Sequence, residues 1–273
     1  MSNKERNLLA ACEDIKVVDC TIRDGGLVNN FEFTDEFVRD LYTANAEAGV
    51  DYMEFGYKAS KQMFNEKDFG KWKFCNEKDL QSIVGLPNES HNGPKVAVMA
   101  DAGRTDYKTD ILPRDKSVID LVRVACYIHQ IPLAIDMIED AKAKGYEVTC
   151  NLMALSKIST DDLMLGLDLI SKSNVDGVYI VDSFGNLYPE QIERYVGFYS
   201  KALKENGKFL GFHGHNNQQL AFANTIEACK DGVDYLDAAV NGLGRGAGNC
   251  HLEMLLSFLK NPKYKVVPIL DLI

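Results

Sequence analysis

Two of the five histidines share one tripeptide, His213-Gly214-His215. Side chains two apart on a strand point to the same face, so both imidazoles can converge on one point. Two imidazoles and a carboxylate make a divalent-metal site. Asp24 offers the carboxylate, in the run Asp19-Cys20-Thr21-Ile22-Arg23-Asp24-Gly25-Gly26. Taken alone, a His-x-His triplet also suits two hydrogen-bonded polar residues at a strand end. Arg23 beside Asp24 could fork a carboxylate and stabilise charge on a developing enolate oxygen, or the pair could merely cap a surface. Gly25 and Gly26 then allow a tight turn or a close approach to a ligand. On a regular strand Arg23 and Asp24 would face opposite ways, so both serve one site only if the strand ends near Arg23. A third stretch, Gly-Leu-Gly-Arg-Gly-Ala-Gly-Asn at 242–249, suits phosphate binding or a tight turn, and Asn249 could turn its amide oxygen toward a metal. Asp182-Ser183 is a fourth polar strand end.

These segments meet only if the fold carries them to one rim. Eight β-rich segments recur, at 17–21, 52–56, 95–100, 121–127, 147–153, 177–182, 209–215 and 235–240, most of them dense in Val, Ile, Leu, Phe and Tyr. Helix signals lie between them. Thr34 caps a stripe of Phe37, Leu41, Ala44 and Ala48; Pro132 opens a helix that Gly145 stops; Ser159 with Asp162 forms a capping box; Pro189 opens another helix. Eight strand–helix repeats without a composition break predict an α/β fold, a closed (β/α)8 TIM barrel, as a single catalytic domain over 1–273. The first strand lacks the G-x-G-x-x-G turn of a dinucleotide site, and no Walker lysine motif occurs. The longest connection, 57–94, holds the only tryptophan, Trp72, and predicts a helix near 77–84. In such a barrel the catalytic groups gather at the C-terminal strand ends, where the four polar segments lie.

Composition narrows the partners. Of 273 residues 46% are hydrophobic and 26% charged, which excludes disorder and disulfide-scaffold classes. Forty acidic against thirty basic side chains leave −10, which argues against nucleic acid or an anionic membrane surface. No apolar run approaches a membrane span, and the run 8–12 is too short for a secretory signal. Seven cysteines without paired spacing read as reduced thiols of a cytoplasmic protein.

Asp-Cys-Thr-Ile-Arg-Asp-Gly at 19–25, His-Gly-His-Asn-Asn at 213–217 and Gly-Ala-Gly-Asn at 246–249 together resemble the DRE-TIM metallolyase superfamily. Val122-Arg123-Val124-Ala125 and Asp182-Ser183 look most like its 4-hydroxy-2-oxovalerate aldolase branch. The resemblance spans essentially the whole chain. It implies Mn2+ or Mg2+ held by Asp24, His213 and His215, with Asn249 as a further ligand. It also implies that Arg23 stabilises the enolate of a metal-bound 2-oxo acid, that Glu54 lies near the metal shell, and that Ser183 contacts the substrate's carboxylate or oxo group. The chain departs from the aldolases at Leu27, where they carry a histidine base, and from the synthases, whose Arg-Asp-Gly-Glu-Gln is absent. Tyr127, His129 and Lys58 are the candidate substitutes; Asn30 and Asn151 are candidate substrate hydrogen-bonders.

Three functions follow as expectations. The first is an aldolase-like metal-dependent lyase that makes or breaks a carbon–carbon bond next to a 2-oxo acid. The second is a Claisen-type acyl-CoA condensing enzyme, and the third a catalytically silent metal-binding barrel within a larger polypeptide. The aldolases of the resemblance also carry a C-terminal region that docks an aldehyde dehydrogenase. Here the chain stops at the barrel, so that region is missing or the partnership does not exist; homo-oligomerisation is left open. Replacing Asp24 or His213 by Ala is expected to remove the metal with little loss of fold, as rim groups should.

Overall fold

The computed structural model describes residues 14–87 and 92–273, so the run 8–12 lies outside the described residues. The barrel opens with β1 (Lys16–Asp19), α1 (Thr21–Asn29), α2 (Asp35–Ala48) and β2 (Tyr52–Tyr57). It continues with α3 (Glu77–Val84), β3 (Lys95–Asp101), the single turn α4 (Tyr107–Asp110) and β4 (Leu121–Cys126). Then come α5 (Ile131–Ala143), β5 (Glu147–Leu152), α6 (Thr160–Ser171), β6 (Gly177–Asp182), α7 (Pro189–Leu203) and β7 (Phe209–Gly214). Helix α8 (Ala221–Lys230), β8 (Tyr235–Ala238), α9 (Leu252–Leu259) and α10 (Val267–Leu270) complete it. The eight strands are parallel and close on themselves, β1 pairing with β8 from Lys16↔Tyr235 to Asp19↔Ala238. This is the expected (β/α)8 barrel. Strands β2, β4 and β6 are buried along their whole length, as strands covered by helices outside and side chains inside must be.

The caps fall where the sequence signals placed them. Thr34 accepts from Phe37 N–H, Ser159 accepts from Asp162 N–H, and α3 occupies the helix expected in the long connection. The start of the chain differs. Strand β1 stops at Asp19, so Arg23 and Asp24 stand on a helix and not at a strand end. The cause is the buried Asp19 carboxylate, which accepts from Thr21 N–H at 2.9 Å, from the Thr21 hydroxyl, and from Asn45 Nδ2 of α2 at 2.6 Å. Those bonds satisfy a helix start with a residue that precedes it. Gly25 and Gly26 serve packing, not a turn. A Cβ on Gly26 would lie 2.1 Å from the Phe31 ring, and one on Gly25 would lie 2.7 Å from Leu243.

Near the N-terminal end of the barrel a second apolar layer, Val18, Tyr52, Ala97 and Leu121 backed by Tyr235, fills the interior. No helix among the described residues is long and apolar enough to cross a membrane.

Candidate metal centre

Helical geometry resolves the problem posed by Arg23 and Asp24. Consecutive helix residues are about 100° apart, so neighbours can share one site. Asp24 and the two histidines converge: one ligand atom from each of Asp24, His213 and His215 lies within 4.8 Å of the others, and all three residues are buried. Asn249 completes the group. Its Nδ2 donates to Asp24 Oδ2 at 2.7 Å and to the Leu243 carbonyl at 3.1 Å, which leaves Oδ1 as the free acceptor.

The cluster fits a cation. His213 Nε2, His215 Nδ1 and Asn249 Oδ1 are buried without any hydrogen-bond partner. Groups so placed are costly unless something occupies their lone pairs. The tautomer of His213 follows from its other nitrogen: Nδ1 lies 3.0 Å from the buried Asp237 carboxylate, which can only accept, so the proton sits there and Nε2 presents a lone pair. Burial, with Arg23 next, holds the His213 imidazole well below its usual range, and burial lowers His215 as well. For Asp24 burial acts the other way, yet Arg23 and the two imidazoles outweigh it and hold the carboxyl at about 2. Neutral imidazoles beside an ionised carboxylate are the protonation states that metal binding requires.

Beneath the cluster runs a closed chain of buried charges. Arg23 Nη1 donates to Asp24 Oδ1 at 2.8 Å and Nε to Glu54 Oε2 at 2.7 Å. The same Glu54 oxygen accepts from Arg123 Nη1 at 2.8 Å, and Arg123 Nη2 donates to Asp237 Oδ2 at 2.7 Å. Asp237 returns to His213, so the chain begins and ends on two of the three cluster members. Arg123 on β4 reaches β2 and β8, which are not its sheet neighbours, so these side chains project into the barrel and cross it. Its guanidinium also lies 4.3 Å from the ring centre of Tyr179.

Above the cluster opens a small, partly enclosed cavity. Arg23, Asp24, His213 and His215 form its floor, while Leu27, Met99, Met153 and Val181 contribute apolar wall. Asn151 and Ser183 also line it. Ser183 Oγ accepts from Ala154 N–H at 2.9 Å, so its own hydrogen is free for a ligand.

The remaining expected residues lie elsewhere. Glu54 sits inside β2 under the floor and reaches the cavity only through Arg23. Tyr127 and His129 stack on each other, ring centres 5.8 Å apart, on the exposed turn after β4. Lys58 is buried but points away, donating to the Cys75 carbonyl at 2.8 Å and facing Glu77 at 3.4 Å, which ties β2 to α3. Asn30 is the exposed left-handed C-cap of α1 and does not line the cavity. The glycine-rich loop reads better as a tight turn than as a phosphate cradle, because several of its N–H groups are already committed: Arg245 N to Asp24, Gly248 N to the Arg245 carbonyl, Asn249 N to the Gly242 carbonyl. Asp24 and His213 stand at the strand-end rim but are only 1% and 3% exposed, so they are buried groups held by the interior.

Sequence reasoning missed Arg123, Asp237, Tyr57 and Arg245 as site residues. A signal existed for the first two, each a lone charge in an otherwise apolar strand, Leu-Val-Arg-Val-Ala-Cys and Tyr-Leu-Asp-Ala. Tyr57 and Arg245 carried no such mark, although both line the cavity.

The HMGL-like family model matches residues 14–272. The chain belongs to the HMGL-like family. Among curated relatives, this HMGL-like chain is 31% identical to "Oxaloacetate decarboxylase" of Mycobacterium tuberculosis, over 89% of its own length and 69% of the relative's. It is 30% identical to "4-hydroxy-2-oxovalerate aldolase" of Bacillus cereus, over 92% and 71%. Among solved structures, the barrel superposes on hydroxymethylglutaryl-CoA lyase from Pseudomonas aeruginosa with a TM-score of 0.73, covering 95% of this chain and 91% of that one. At 15% identity that likeness speaks for the fold alone.

Proposed function

We propose that this HMGL-like protein is a divalent-metal-dependent lyase that cleaves or forms a carbon–carbon bond next to a 2-oxo acid. One observation carries the reading: Asp24, His213 and His215 converge directly beside Arg23, with imidazole nitrogens that are buried and unpartnered. Asp24, His213 and His215 would hold the ion, with the Asn249 amide oxygen as a further ligand, and this mixed oxygen–imidazole set suits Mn2+ or Mg2+. The ion when bound supplies Lewis-acid polarisation of the 2-oxo acid's oxygens.

The chain's own residues do the rest. Two of the five N–H donors of Arg23 are committed to Asp24 and Glu54, so the guanidinium is fixed, and the remaining ones serve the oxygen on which enolate charge develops. Glu54 is a positioning residue for Arg23. Ser183 donates its free hydroxyl hydrogen to the substrate carboxylate, and Asn151, on the adjacent strand β5, hydrogen-bonds substrate beside it. The cavity suits a small acid; an acyl-CoA would have to remain largely outside it.

Leu27 decides between reactions. It lines the cavity and cannot take a proton from a substrate hydroxyl. Loss of CO2 from a 3-carboxy-2-oxo acid needs no such base. That observation favours decarboxylation as the second reading, the activity named for the Mycobacterium relative. No step requires an aldehyde dehydrogenase or a second copy of the chain. The six described cysteines are all buried and unbridged, which supports the cytoplasmic reading.

The test is a panel of 4-hydroxy-2-oxo acids, oxaloacetate, and acyl-CoA with a 2-oxo acid, each offered to the Mn2+-loaded and Mg2+-loaded protein. Pyruvate release is expected, and Arg23→Ala should abolish it. Thiol release from acyl-CoA alone would overturn the proposal, and so would no turnover on any of them.

A further inference from the structure

The cavity carries one arginine whose charge no carboxylate offsets. Arg23 lies between Asp24 and Glu54, and Arg123 lies between Glu54 and Asp237. Arg245, exposed and also lining the cavity, forms no ion pair among the described residues. Its guanidinium makes one described hydrogen bond, Nη2 to the Ser183 carbonyl at 2.8 Å. The remaining N–H groups of its fork stay available to a ligand.

Its position is set tightly. The Arg245 backbone N–H donates to Asp24 Oδ2 at 3.3 Å. A Cβ on the preceding Gly244 would lie 2.2 Å from Asn249 Nδ2 and 2.5 Å from Asp24 Oδ2. The following Gly246 has φ +67°, a left-handed backbone conformation that a side chain would strain. The loop therefore presses directly onto the cluster and presents Arg245 beside it.

Charge balance says what that arginine is for. In the buried chain three carboxylates face two guanidinium groups, leaving one negative charge. A divalent ion makes it one positive charge, which the carboxylate of a 2-oxo acid neutralises. Arg245 adds a second positive charge that a monocarboxylate leaves unmatched. We propose that Arg245 is a specificity residue selecting 2-oxo acids that carry a second carboxylate. The assignment rests on the metal-dependent 2-oxo acid reading given above.

Two unreactive five-carbon probes isolate the effect: 2-oxoglutarate ends in a carboxylate, 2-oxovalerate in a methyl group. Calorimetric titration of the Mg2+-loaded full chain should show 2-oxoglutarate binding about 10- to 100-fold tighter, the range of a hydrogen bond to a charged group. Arg245→Gln should bring the two acids to within about 3-fold, and Arg245→Lys should keep part of the preference as a point charge. The preference should weaken as salt rises, because the site is exposed. Equal binding by the unaltered protein, or an unchanged ratio in Arg245→Gln, overturns the assignment while leaving the 2-oxo acid reading intact. An equal loss for both acids also overturns it, because Arg245 would then hold the carboxylate they share. Binding of neither acid overturns both.

Discussion

Asp237→Asn tests whether the buried charge chain orients the metal ligands. The Asp237 carboxylate is 1% exposed, and one oxygen accepts from both Arg123, at 2.7 Å, and His213, at 3.0 Å. Asparagine keeps the shape but removes the charge, so His213 Nδ1–H loses its anionic acceptor and Nε2 becomes a poorer, less firmly aimed ligand. Losing such a supporting partner typically weakens metal binding about 10- to 100-fold. Removing one member of a buried ion pair costs about 3–5 kcal/mol, and the lower end applies here because Arg123 keeps Glu54. At about 2–4 °C per kcal/mol for a chain of this size, Tm should fall by roughly 6–12 °C. The assays are Mn2+ titration by calorimetry and a thermal melt of the metal-free protein. A folded Asp237→Asn protein that binds Mn2+ as tightly as the parent would refute the reasoning, since His213 would then need no help from Asp237.

Three further outcomes are expected. Asp24→Ala should abolish metal binding and also lower the metal-free Tm by several degrees, because it deprives Arg23 and Asn249 of a buried acceptor; an unchanged melt would contradict the integral placement of Asp24. Leu27→His should raise pyruvate release from 4-hydroxy-2-oxo acids by about 10²-fold or more, since it places a proton acceptor on the cavity wall, and a coupled assay showing no gain would remove Leu27 from the account. With both imidazoles held below their usual range, metal affinity should stay flat as pH falls from about 8 past about 6.5, where an ordinary histidine protonates. A break in Mn2+ affinity at about pH 6.5 would be the contrary result. Stability follows the same signs. The unfolded chain takes up protons on these histidines below about 6.5 while the folded chain does not, so their share is lost as pH falls. Asp24's share is complete above about 4 and is lost as pH falls through about 2. Asp19 opposes them: burial raises its carboxyl to about 6, so its share is complete below about 4 and is lost as pH rises through 6.

Much of the fold was legible because its signals are local. Apolar runs of strand length, a capping threonine at 34, a capping serine at 159 and first-turn prolines at 132 and 189 act through their nearest neighbours. The start of α1 was not legible. Thr-Ile-Arg-Asp-Gly-Gly is a poor helix by propensity, and its start is held by Asp19 of β1, itself fixed by Asn45 of α2, both on other elements.

The same division governs the site. Sequence by itself carried the superfamily resemblance and the barrel, and through the resemblance pointed to Asp24, His213, His215 and Asn249 as a proposed metal set, because those residues lie in short motifs. Only the tertiary structure decided that Arg123 and Asp237 lock that set in place, that Tyr127, His129, Lys58 and Asn30 stay away from it, and that Arg245 stands beside it with its charge unmatched. Chain spacing says which face of an element a side chain occupies; which side chain stands opposite is settled when strands far apart in the chain close into one cylinder. Buried charges then must find partners across it.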